Sequence, residues 1–122
     1  MRVAALLVIG LWAPFAEAAP VPCAQTASDK ASFDECAQKE ILPLETRRVH
    51  AMSALRTRYR NDPGLLKMLE SSEDSWNAYR NAYCGAEAAA RGGASGIEVR
   101  RAFAVCAKRT LELRVKELES LP

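Results

Sequence analysis

The stretch Ser75-Trp76-Asn77-Ala78-Tyr79-Arg80-Asn81-Ala82-Tyr83-Cys84 decides how this chain folds. It holds one of the two tryptophans, two of the three tyrosines and one of the four cysteines. On a helix, Trp76, Tyr79, Arg80 and Tyr83 fall at i, i+3, i+4 and i+7 and form a single stripe. Cys84 follows Tyr83 directly, a little over two turns from Trp76, so its sulfur projects near the same side. Large aromatics have the most apolar area to remove from water, so neighbouring helices are expected to pack on this stripe. Arg80 then lays its stem over the rings while its guanidinium is paired or reaches water. Trp76 is expected between the first and last helices, near Tyr79 and Phe103, and Trp76→Ala to cost about 3–5 kcal/mol. The rival reading, an aromatic box for a ligand, places Trp76 on a binding surface.

The flanking sequence extends the helix in both directions. Asn61-Asp62-Pro63-Gly64 is a turn, with Asp62 as N-cap and Pro63 at the first helical position. Leu65, Leu69, Ser72, Trp76, Tyr79 and Tyr83, continuing over Ala86 and Ala90, mark the expected buried face. Gly92-Gly93-Ala94-Ser95-Gly96 ends it in a loop. A last helix is predicted from about Ile97 to Leu118, with Ile97, Phe103, Cys106, Leu111, Leu113 and Leu118 among its apolar residues.

Upstream, Thr26 or Ser28 is expected to cap a helix through Phe33, Cys36, Ala37 and Ile41. Pro43 is expected to kink or break it, after which Leu44, Val49, Met52, Leu55 and Tyr59 resume the pattern. Arg47, Arg48, Arg56, Arg58 and Arg60 share this segment and read as a solvated face balanced by Glu70, Glu73 and Asp74 on the next helix. The alternative is an anion-binding face. No segment alternates with period two over strand length. The fold class is all-α, a small disulfide-stapled bundle of three main helices.

The N-terminus reads as an export signal. Arg2, the apolar run Val3 to Leu11 and the small-x-small pattern Ala16-Glu17-Ala18 predict a signal peptide over residues 1–18. The run is too short to span a bilayer, so no stable membrane insertion is expected. Residues 19–122 form a single periplasmic or secreted domain, large enough for a modest core. The formal charge of +2 implies no particular partner, and nucleic acid fits an exported near-neutral domain poorly.

Cys23, Cys36, Cys84 and Cys106 all lie in the exported portion, an even count that argues for two disulfides. No CxxC spacing and a single histidine, His50, argue against a metal site. Sequence alone allows three connectivities. A hairpin about Gly93 places Cys84 opposite Cys106, which leaves Cys23 for Cys36. The competing pattern joins Cys36 to Cys84 or Cys106. No cofactor motif and no nucleophile–base pair is present, so no catalytic residue is assigned.

Trp76-x-x-Tyr79-Arg80-x-x-x-Cys84, the Gly92-Gly93 loop and Cys106-x7-Arg114-x3-Leu118 together resemble the lysozyme inhibitor LprI N-terminal domain family. The Cys23-x12-Cys36 spacing and the Asp62-Pro63 turn extend the likeness over the whole exported chain. The resemblance implies a small exported helical domain that binds a lysozyme-type muramidase without catalysis. Arg48, Val49, Met52, Glu73 and Asn81 depart from the family's usual residues, so polar positions are kept less well than core ones. Common animal lysozymes are strongly basic, and a +2 chain gains little long-range attraction to them. The alternative function is an envelope interaction or assembly factor with no lysozyme target. Partner contacts are expected on the loops, at Asn61, Asp62, Gly92, Gly93 and Ser95. The oligomeric state is not specified by any of these residues.

Overall fold

A computed structural model describes residues 29–92 and 96–122. Among these, the chain forms three helices: α1 (Lys30–Arg58), α2 (Pro63–Gly92) and α3 (Ile97–Ser120), with no strand. The all-α expectation holds. The expected signal peptide, residues 1–18, and residues 19–28 lie outside the described residues.

Helix α1 opens at Asp29, whose Oδ1 accepts from the Ser32 amide at 2.9 Å. This cap stands one residue beyond Ser28, so neither Thr26 nor Ser28 is the cap of the assigned helix. The helix then runs through Pro43 without a break. Pro43 lies on the exposed side of α1, so the carbonyl it leaves unbonded can be hydrated. Met52 and Leu55, each 2% exposed, anchor the helix beyond it.

Between α1 and α2 the chain turns tightly, with the Asp62 amide donating to the Tyr59 carbonyl at 2.8 Å. The Asp62 carboxylate accepts from the Leu65 amide at 2.9 Å, which makes Asp62 the N-cap that the sequence predicts. Helix α3 starts after Gly96, whose φ of 96° lies in the left-handed region that favours glycine.

Ion pairs set the directions of the helices. Arg56–Glu70, Arg48–Glu73 and Arg80–Glu45 run α1 antiparallel to α2. Asp34–Arg100, Glu40–Lys108 and Arg47–Glu119 run α1 parallel to α3. The arginines of α1 are thus balanced largely by acids on its neighbours. Helix α3 packs against both other helices. Met52, Leu55, Leu69 and Leu118 form the core near the α1–α2 turn, and Phe33 seats against Ala37, Ile97 and Ala104 at the far end. Between them lie Leu111, Val115 and the disulfide Cys84–Cys106, with Cα atoms 5.5 Å apart and both cysteines fully buried. Cys36 is also disulfide-bonded, but its expected partner, Cys23, lies outside the described residues.

The buried face of α2 differs from the aromatic stripe. It carries Leu69, Glu73, Cys84 and Ala88, with Trp76, Asn77 and Arg80 half-buried. Tyr79 and Tyr83 are 55% and 44% exposed, and Ser72, Ala86 and Ala90 are exposed as well. One residue on a helix is a rotation of about 100°. The disulfide aims Cys84 at α3, so adjacent Tyr83 must swing outward. Val49 and Leu113, expected among the apolar packing positions, are likewise exposed.

Candidate functional site

Trp76 stands at the junction of the three helices under three guanidiniums. The Cζ atoms of Arg80, Arg48 and Arg114 lie 4.9, 5.4 and 6.0 Å from its ring centroid. A cation over an indole face is attracted by the ring quadrupole, so Trp76 gathers one arginine from each helix. Two carboxylates compensate them. Glu73, only 6% exposed, accepts from Arg48 and, at 2.8 Å, from Arg114 Nε. Glu45 accepts from Arg48 Nε at 2.9 Å and from Arg80 Nη1 at 2.8 Å. Arg114 also donates to Ser72 Oγ at 2.6 Å.

This network explains its own charge states. Burial opposes ionisation of Glu45, but the hydrogen bonds and charges of Arg48 and Arg80 outweigh it and hold the carboxyl below its ordinary value. Burial likewise disfavours the charged form of Arg48, and Glu45 and Glu73 reverse that, raising its pKa. Each of the three guanidiniums has a carboxylate acceptor within the fold, and the cluster ties the three helices together. Trp76 is therefore a partly buried residue packed under arginines of the first and last helices, not an open ligand box. Phe103 is half-buried and lines a different feature, an apolar groove of about 710 Å³ between α1 and α3 with Phe33, Ile41 and Leu42.

The opposite side of α2 has another character. From Ser75 to Ala86 its solvent surface consists of Ser75, Ala78, Tyr79, Asn81, Ala82, Tyr83, Gly85 and Ala86. The single charged residue in that stretch, Arg80, is bound to Glu45. Tyr79 and Tyr83 stack on each other, with ring centroids 5.4 Å apart and planes 14° from parallel. Arg109 of α3 lies near both phenols and donates to Glu87 at 2.7 Å. That hydrogen bond, with the charge behind it, holds Glu87 below the ordinary carboxylate range and raises the Arg109 pKa.

Of the loop residues expected to meet a partner, Asn61 and Asp62 are exposed in the α1–α2 turn, and Gly92 ends α2. Gly93 and Ser95 lie outside the described residues. Arg114 and Leu118 are where the motif needs them, one in the arginine cluster and one in the core. Glu45 is the cluster member that sequence reasoning missed. Its one local signal is Arg48, three residues on, which fits an intrahelical pair.

Trp76, Arg80, Cys84, Cys106, Arg114 and Leu118 therefore meet along the seam that joins α2 to its neighbours. A family model described as lysozyme inhibitor LprI matches residues 23–118. The chain belongs to the lysozyme inhibitor LprI family. No curated protein and no solved structure matches it. The matched region of this LprI family member covers α1, α2, all but the last two residues of α3, and all four cysteines. Among the described residues, no helix is long and apolar enough to cross a membrane.

Proposed function

We propose that residues 19–122, released from the signal peptide 1–18, act as an exported non-catalytic inhibitor that binds a lysozyme-type muramidase. The family match over residues 23–118 carries this reading. The chemistry of the helices supports it. Each cysteine of the helices is disulfide-bonded, so none offers a thiol nucleophile. His50, the only histidine, is exposed on α1. The conspicuous polar cluster is closed on itself around Trp76. A braced bundle presents its surface already ordered, which lowers the entropic cost of association.

The test is clearing of a bacterial cell-wall suspension by lysozyme, animal and bacterial, with the oxidised mature chain added in increasing molar excess. Dose-dependent loss of clearing is the expected result. Unchanged clearing by both enzymes at large excess would assign the domain instead to envelope interaction or assembly.

A further inference from the structure

We infer that the uncharged face of α2, centred on the stacked Tyr79–Tyr83 pair, is the surface that meets the muramidase, and that it lies in the enzyme's substrate cleft. This rests on the inhibitory reading above.

Charge is the first argument. Solvent faces of helices ordinarily carry charged side chains. This one has none between Ser75 and Ala86 except inward-bound Arg80, over a length of about 17 Å. The chain is cationic overall, and so are common lysozymes, so like charges oppose each other on most approaches. The expected contact at the α1–α2 turn suffers from this, being flanked by Arg58, Arg60 and Lys67, whereas Arg91, Arg100 and Arg101 beside the α2–α3 loop are ion-paired with Glu87, Asp34 and Glu98. The α2 face presents no unpaired cation, because Arg109 beside the phenols is engaged by Glu87.

The side chains are the second argument. Tyrosine concentrates binding energy at interfaces, since it has a large apolar ring, a hydroxyl and few rotatable bonds. Here each ring holds the other. Cys84, next to Tyr83, ties that turn of α2 to α3, so the pair is presented ready to dock.

Shape is the third. Ala78, Ala82, Gly85 and Ala86 surround the tyrosines, so the two phenols stand proud of a convex ridge. An enzyme that cleaves a polysaccharide holds its substrate in a concave cleft. A ridge fits such a cleft, and phenolic hydroxyls can take hydrogen bonds that the cleft offers to sugar hydroxyls. The α1–α3 groove is itself concave and cannot enter one.

The experiment is steady-state inhibition of lysozyme on a soluble chitooligosaccharide substrate at several concentrations. It compares the parent chain, the double variant Tyr79→Ala/Tyr83→Ala, Ala82→Arg and Asn61→Ala. Far-UV circular dichroism and thermal melts confirm folding. All the altered side chains are exposed, and Ala82→Arg keeps both tyrosines, so it reports on the face even if the double variant is impaired. The expected result is a rise in apparent KM at constant kcat for the parent. Potency should fall about tenfold or more for both α2 variants and change less than about twofold for Asn61→Ala. Full potency in the folded α2 variants, or a fall in kcat at constant KM, would falsify the surface assignment while leaving the inhibitory reading intact. A parent chain without inhibition overturns both.

Discussion

Glu73 shows how much a single polar residue decides in this fold. It sits in a buried position on α2 and accepts from Arg48 of α1 and Arg114 of α3. Removing one partner of a buried ion pair leaves the other charge without compensation, which is far costlier than losing an apolar contact of equal area. Glu73→Ala is expected to cost about 3 kcal/mol, near the lower end for such pairs because both guanidiniums keep an edge in water. Trp76→Ala should cost about 1–2 kcal/mol, less than a core aromatic, since the half-buried ring acts through cation–π contacts and partial burial. Urea denaturation of both variants checks this order. An effect of Trp76→Ala larger than that of Glu73→Ala would return Trp76 to the role of core anchor. Glu45 gives the cluster a pH dependence. Its folded pKa lies below the ordinary 4.5, so its contribution is present above that value and disappears as pH falls through the folded pKa. The urea midpoint of the parent should therefore drop below about pH 4.5, and Glu45→Gln should flatten part of that drop. A Glu45→Gln profile parallel to the parent's at every pH would remove Glu45 from this account.

At the scale of elements, α1 tolerates a proline that isolated helix propensity forbids. A proline in a helix interior is less favourable than alanine by about 3 kcal/mol. Tertiary packing on either side of Pro43 overrides that local penalty, with Phe33 at one end and Met52 and Leu55 at the other. The penalty is still being carried. Pro43→Ala is expected to stabilise the domain by about 1–2 kcal/mol, the helix gain being partly offset by a freer unfolded chain. The readout is the urea midpoint, with a decrease counting against an exposed, purely local effect. Helix α2 poses the opposite case. Its aromatic stripe is regular enough to predict a helix, yet its buried face is a mixture of leucine, glutamate, arginine and cysteine. Bulk did not select the inward side, because the disulfide and the two ion-pair partners set the rotation first.

Across the whole molecule, α3 unites the bundle. It is joined to α2 by Cys84–Cys106 and to α1 by three ion pairs in parallel register. Cys84 and Cys106 pair with each other, and we predict that Cys36 pairs with Cys23. Non-reducing proteolysis confined to residues 44–66, followed by mass spectrometry, should release two separate disulfide-closed fragments. A single species holding both halves together would mean that Cys36 reaches Cys84 or Cys106 in solution.

Helical periodicity, the Asp62-Pro63 turn, the glycine-rich loop and the cysteine count were enough to determine three helices and the hairpin that aligns Cys84 with Cys106. These are local signals, since each depends on residues within a few positions of one another. The motif residues were legible for the same reason, as a spacing within α2 and another within α3. What only the tertiary structure decided was which way α2 faces. Trp76, Tyr79 and Tyr83 share a stripe in the sequence but not an environment, because three arginines from three helices converge on the first, whereas the other two stack on each other at the surface. The exposure of the tyrosines, and with it the uncharged surface proposed for binding, follows from a rotation of about one residue. Ion-pair contacts that lie 25 to 41 residues apart in the chain help set that rotation, and no local pattern encodes them.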